Sequence, residues 1–311
     1  MLINNIENKI TKPQQDLFYS RNDKNDPRMG EFVFRDREYY PKADYVIVGC
    51  PQDMGVKRNN GREGARGGPT SIRRALYKFP VPEPMRNKMI FDIGDAIVAD
   101  TLEGTHKLLY EIVYNLLEDE KRLVVLGGGN DISYPDCRAL SELSSELVVF
   151  NIDSHFDVRD DEQSTSGTPY RQLLEAEFIH PPKFYELANK QIVNSPEYEN
   201  YLRVKGVNIT SLEDLREEGI ESYLKTVMHH NEADSIFWGF DLDAVRADDA
   251  PGVSAPYPIG LSAEEICTIA KIAGSDKRSR ILEITELNPE YDLDNRTAKL
   301  AAMIIMYYLN N

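Results

Sequence analysis

Apolar residues cluster along the chain in short β-rich runs separated by stretches of helical period. YVIVGC (45–50), RLVVLGG (122–128), LVVFNID (147–153), SIFWGFDLD (235–243) and RILEIT (280–285) read as strands. MIFDIG (89–94) and KFYELA (183–188) are weaker candidates. Near-continuous apolar runs are expected where helices cover both faces of a parallel sheet. Between the runs, EGTHKLLYEIVYNLLEDE places Leu109, Ile112, Val113 and Leu116 on one helical stripe. SAEEICTIAKIAG opens with Ser262 and Glu265 at capping-box spacing. The alternation predicts an α/β fold: a single three-layer α/β/α domain with a mostly parallel central sheet.

No low-complexity linker or internal repeat divides the chain, so we expect one doubly wound domain over residues 41–311. Residues 1–40 are expected to form an N-terminal surface extension. MLINNIENKITKPQQDLFYS lacks the continuous apolar stretch of a signal peptide. AAMIIMYYL near the C-terminus is too short to span a bilayer and reads as a buried helix.

Composition narrows the range of partners. With 311 residues, 41% of them hydrophobic, the chain can bury a substantial core. Its formal charge of −16 repels phosphate backbones and anionic membranes, so neither nucleic acid nor membrane is an expected partner. Cys50, Cys137 and Cys267 form no CxxC pair and read as core thiols of a reduced, cytoplasmic protein.

Chemistry gathers at the carboxyl ends of strands, where open α/β sheets bind ligands. GGGNDIS supplies Asn130 and Asp131 after RLVVL. Asp153, His155, Asp157 and Arg159 follow LVVFNI at alternating positions, which converge on one side if the strand conformation lasts that far. Asp241 and Asp243 repeat the i, i+2 spacing after SIFWGF, and RILEIT runs into Glu286, Asn288 and Pro289. Each motif alone has a plain explanation: a tight turn, a hydrogen-bonded histidine, a loop cap. Together they place at least four carboxylates and an imidazole around one crevice, and divalent cations are what make such crowding tolerable. Hard oxygen donors dominate and no thiolate lies in the motifs, which favours Mn²⁺ over a Cys/His zinc site. The GGG turn lacks both the Lys-Ser/Thr of a phosphate loop and the GxGxxG of a dinucleotide fold.

From about residue 45 onward the motifs resemble, in order, those of the arginase–agmatinase–formimidoylglutamase (ureohydrolase) superfamily. IDSHFD is similar to its Asp-x-His ligand segment, DLDAVRADDAPG to its second Asp-x-Asp segment and EITELNP to its Glu-x-Asn-Pro segment. GVKRNNGREGARGGPTSIRRAL (55–76), Arg159 within FDVRD and Tyr170 within SGTPYRQLLE resemble the formimidoylglutamase branch more than the arginases. The resemblance implies an arginase-like domain with two Mn²⁺ ions. Asn130, Asp153, Asp157 and Asp241 would hold one ion. Asp153, His155, Asp241 and Asp243 would hold the other, with Asp153 and Asp241 bridging.

Most members of the superfamily carry His where this chain has Asn130. A neutral amide oxygen is the weaker donor, so the ion it contacts is expected to be held less tightly.

The activity implied is hydrolysis of N-formimidoyl-L-glutamate to L-glutamate and formamide, a step of histidine degradation, by a hydroxide held between the ions. Asp157 would shuttle a proton and Glu286 would face the cationic formimidoyl group. The substrate is a small dicarboxylate. Arg159 is the first choice to read its carboxylates, with Arg58 and Arg62 behind it and Tyr170 as a hydrogen-bond donor or wall. Hydrolysis of a guanidino compound, and a metal-poor non-catalytic homologue, are the competing readings. The superfamily includes monomers and rings, so a homo-oligomer is compatible with the resemblance.

Overall fold

In the computed structural model, which describes residues 5–310, nine strands form one sheet. They are β1 (Ile10–Thr11), β2 (Tyr45–Gly49), β3 (Ile90–Ala96), β4 (Arg122–Leu126), β5 (Leu147–Ile152), β6 (Phe184–Asn189), β7 (Asn208–Ser211), β8 (Ser235–Asp241) and β9 (Ser279–Thr285). Their spatial order is β1-β3-β2-β4-β9-β8-β5-β6-β7. Every pairing is parallel except β1 with β3.

The apolar runs are continuous because successive residues feed opposite layers. Ile47, Val124, Leu126, Phe150, Trp238 and Ile284 face one layer, made with the helices Gly68–Leu76, Ala263–Ser275 and Arg296–Leu309. Val46, Val48, Leu123, Val125, Val149 and Phe237 face the other, made with Leu102–Glu118, Ser133–Leu143 and Pro169–Glu175. The stripe Leu109, Ile112, Val113 and Leu116 is fully buried. Each such side chain contributes roughly 1.5–3 kcal/mol, so packing more than helix propensity holds this element. The Ser262–Glu265 capping box is present at the start of its helix. A buried ion cluster ties the Gly68–Leu76 helix to the sheet: Arg73 donates from Nε and Nη2 to Asp92 at 2.9 and 3.0 Å and from Nη1 to Asp95 at 2.5 Å. All three cysteines are buried and unpaired. No described helix is long and apolar enough to cross a membrane.

Two elements differ from the sequence expectation. Asn208–Ser211 pairs with β6 as an edge strand; its short, half-buried, polar sequence carries no apolar run to announce it. The segment before residue 41 is laid onto the domain. It supplies β1 to the sheet edge and buries Ile6, Leu17, Met29, Val33 and Tyr40 in the two core layers. Its apolar residues are too widely spaced to show a period.

The sheet order positions the site. The four motif-bearing strands, β4, β9, β8 and β5, are consecutive neighbours. Register pairs Leu126 with Ile284, Phe240 with both Ile284 and Ile152, and Asp241 with Thr285. Four chemical loops therefore leave the sheet at one level, although they lie up to 160 residues apart in sequence.

Candidate metal centre

The loop after β4 turns sharply because its glycines run against neighbouring backbone. A Cβ on Gly128 would lie 1.7 Å from the Gln52 carbonyl oxygen, so no other residue fits there. The turn presents the Asn130 backbone N–H, which donates to Glu286 Oε1 at 2.9 Å. The Asn130 side chain spans two environments. Its Nδ2 donates to Asp157 Oδ2 at 2.6 Å and lies 3.5 Å from Asp153 Oδ2. Its Oδ1 accepts from Thr285 Oγ1 at 2.8 Å, with Ser133 Oγ at 3.2 Å.

β5 ends at Ile152, so the expected continuation of the strand to Asp157 does not occur. Asp153 Oδ1 instead accepts the His155 backbone N–H at 2.7 Å, folding the chain into a tight turn. Asp157 then adopts a left-handed φ of 46°, a conformation disfavoured for a non-glycine residue. After β8 the pattern repeats: Asp241 Oδ1 accepts the Asp243 N–H at 2.8 Å.

These turns converge the carboxylates. Asp153, His155 and Asp243 form one group and Asp153, Asp157 and Asp241 a second, the ligand atoms within each lying within 4.8 Å of one another. Asp153 belongs to both, as expected of a bridge; Asp241 falls only in the second. His155 Nδ1 is 3.1 Å from Asp243 Oδ2 and 3.5 Å from Asp153 Oδ1. Asp243 Oδ1 and Glu286 Oε2 are buried without a protein partner.

Electrostatics show how unfavourable the cluster is unaided. Burial, then the charge of Asp243, raises Asp153 to about 6. Burial followed by neighbouring acids holds Asp157, Asp241 and Glu286 well above the carboxylate range. Asp243 alone is lowered, because the adjacent His155 outweighs its burial. A group of acids that must hold protons when left to itself is a group that divalent cations can discharge. The donor set fits them: hard oxygens predominate, one imidazole joins, and two buried carboxylate oxygens, on Asp243 and Glu286, have no protein partner.

The cluster floors a cavity of about 550 Å³ that is also lined by Arg62, Arg159, Asn59, Ser166 and Tyr198. None of its lining residues comes from the N-terminal segment. Arg159 stands at the cavity with its side chain half exposed and Nε 3.1 Å from Asp161. Arg62 donates from Nε to the Ser254 carbonyl at 2.8 Å and lies over the Tyr291 ring.

Two expected substrate readers are elsewhere. Arg58 is turned away and pairs with Glu103 at 2.5 Å and the Ser164 carbonyl at 3.0 Å, the nearby acid having captured it. Tyr170 does not line the cavity. The helix Pro169–Glu175 directs it into the core, where it is fully buried and stacked on Phe184 with centroids 5.0 Å apart.

Sequence reasoning missed the support beneath the acid cluster. Lys190, almost fully buried, donates to Ser154 Oγ at 2.5 Å, and Ser154 donates to the Asp243 carbonyl at 2.8 Å. It is a buried cation under the acids, hidden in sequence as a lone lysine after a weak strand. Asn194 accepts the Phe156 N–H at 3.1 Å and donates to the Ser154 carbonyl at 2.8 Å, fixing the loop that carries Asp153, His155 and Asp157. An isolated loop asparagine carries no chemical signature, so nothing in the sequence pointed to it.

Comparison with known proteins follows the same lines. The Arginase family model matches residues 43–310. Formimidoylglutamase of Rhodococcus jostii is 33% identical over 269 residues, covering 84% of this chain and 83% of that protein. The Bacillus subtilis formimidoylglutamase is 29% identical over 297 residues, covering 89% and 93%. The crystal structure of Trypanosoma cruzi formiminoglutamase with Mn²⁺ superposes with a TM-score of 0.86 at 32% identity, covering 91% of this chain and 97% of that one.

Proposed function

The chain belongs to the arginase family, and on that premise we propose that it is a binuclear manganese hydrolase cleaving N-formimidoyl-L-glutamate to L-glutamate and formamide. The observation that carries this reading is the pair of ligand groups sharing Asp153 at the floor of a cavity with Arg62 and Arg159 beside it. The relatives named formimidoylglutamase support the choice of substrate.

Asn130, Asp153, Asp157 and Asp241 would hold one ion; Asp153, His155, Asp241 and Asp243 the other. When bound, such a pair supplies Lewis acidity toward water and toward the amidine. The chain's own groups do the rest. Glu286 is anchored through Oε1 by the Asn130 N–H, which leaves Oε2 directed at the cationic formimidoyl group. Arg159 and Arg62 offer guanidinium forks to the two carboxylates of the glutamate end. Water adds to the formimidoyl carbon; Asp157 takes one of its protons and delivers it to the glutamate nitrogen as the C–N bond breaks, and the remaining hydroxyl proton passes to the freed amine as the carbonyl of formamide forms. Formamide and glutamate leave. Three buried free thiols fit a reduced, cytoplasmic setting.

Product identity tests this reading. Purified protein supplied with manganese and N-formimidoyl-L-glutamate should release formamide and glutamate in equal amounts. Urea release from arginine or agmatine, without formamide from the amidine, would assign it to a guanidino substrate instead.

A further inference from the structure

Asn130 raises a problem of orientation. The atom it turns toward the carboxylates is Nδ2, a donor, 2.6 Å from Asp157 Oδ2. A cation held by Asp153, Asp157 and Asp241 requires a lone pair at that place, not an N–H. Exchanging the two ends of the amide would set Oδ1 there, 2.6 Å from a carboxylate oxygen. Two acceptors that close repel unless a cation or a proton lies between them.

The other end of the amide meets two hydroxyls, Thr285 Oγ1 at 2.8 Å and Ser133 Oγ at 3.2 Å. Both residues are fully buried. A hydroxyl either donates or accepts, so both orientations of the amide are satisfied. With Oδ1 inward, the hydroxyls donate to it. With Nδ2 inward, its two N–H groups find one hydroxyl oxygen each. Ser133 has a single hydrogen, and Glu283 Oε1 competes for it at the shorter distance of 2.5 Å. Toward Asn130, Ser133 therefore mainly offers a lone pair, which favours Nδ2 inward and Oδ1 toward the carboxylates.

We infer that Ser133 and Thr285 form a two-way hydroxyl cradle in which the Asn130 amide turns end for end, coupling its orientation to entry of the cation at Asp153, Asp157 and Asp241. This rests on the metal reading above. Ser133 and Thr285 are positioning residues: they touch neither substrate nor cation, and they determine which end of the amide is available. The cradle explains how a side chain that bridges acids as a donor also serves as a ligand, with no backbone movement.

Thr285→Val is close to isosteric and suits a strand end, yet leaves one inward N–H without an acceptor. With Oδ1 inward the same change removes the carbonyl's donor, so Thr285→Val costs both orientations a partner, whereas Ser133→Ala removes an acceptor that only the ligating orientation uses. Ser133→Ala should therefore disfavour the ligating orientation. Manganese titration of the wild type, Ser133→Ala, Thr285→Val and Thr285→Ser, by equilibrium dialysis and by the spin-coupled Mn–Mn resonance signal, tests this. Two ions should bind the wild type. Ser133→Ala should weaken the looser ion about tenfold, with a matching loss of the coupled signal, and leave the tighter ion within about twofold. Thr285→Ser, which keeps the hydroxyl, should match the wild type. Thr285→Val should shift the looser ion less than Ser133→Ala does.

Wild-type affinity in Ser133→Ala, or equal weakening of both ions, would overturn the cradle while leaving the metal centre intact. A wild type that takes up no manganese would overturn the metal centre itself, and the cradle with it.

Discussion

Asn130 and Asp157 meet end to end, Nδ2 donating to Oδ2 at 2.6 Å, across the space between the loops that follow β4 and β5. Where most of the superfamily is expected to carry an imidazole, this chain places an amide that bonds to an acid of the cluster. Asn130→His should therefore raise the affinity of the ion proposed at Asp153, Asp157 and Asp241, since imidazole is the stronger donor toward such metals. Calorimetric titration reads the change. Unchanged affinity would mean that Asn130 does not stand at a ligand position.

Asp157, like Glu286, is held at a left-handed φ beside the cavity, and it alone of the two bonds to the Asn130 side chain. As the proposed proton carrier, it should be indispensable to turnover and much less so to substrate binding. Asp157→Asn is expected to lower kcat by at least about 100-fold with KM little altered. Near-normal kcat would remove the shuttle.

Arg159 and Arg62 border the cavity, but only Arg62 is anchored, through Ser254 and Tyr291. Arg159 is paired with an exposed acid, an interaction of small worth, and is free to swing onto a carboxylate. Arg159→Ala should raise KM for the dicarboxylate substrate much more than for a small amidine that carries no carboxylate. Equal effects on both would make it a structural arginine.

Behind the centre, Glu283 and Asp136 lie together fully buried. Burial is the main cause that raises Glu283 from its ordinary 4.5 to about 7, and burial followed by the charge of Glu283 raises Asp136 further. Between about pH 4.5 and 7 the folded chain keeps a proton on Glu283 that the unfolded chain releases. Stability contributed by this group is therefore full below that window and declines as pH rises through it. Glu283→Gln removes the titration. In chelator, its Tm should fall less than that of the wild type from pH 4.5 to 7. Parallel Tm profiles would show that Glu283 does not carry the effect.

The main strands were legible because burial on both faces leaves a near-unbroken apolar run, as in Val46–Ile47–Val48 and Val148–Val149–Phe150. Asn208–Ser211 was not, since an edge strand half in water needs no such run. Asp153, His155, Asp241 and Asp243 could be read from spacing at strand ends, yet the geometry that gathers them is made by turns beyond the strands. Asp157 arrives through a left-handed residue that no alternation rule predicts. The resemblance of SGTPYRQLLE sets Tyr170 beside the substrate, whereas the period of its short helix points it inward. Lys190 and Asn194 show the converse: they matter through what they hold, and single residues in loops carry no pattern.

Chelation followed by reconstitution tests the centre most directly. Protein stripped exhaustively of metal should lose formamide release from N-formimidoyl-L-glutamate, then regain it as manganese is returned, reaching full rate at two ions per chain. Undiminished formamide release by the stripped, manganese-free protein would contradict the account.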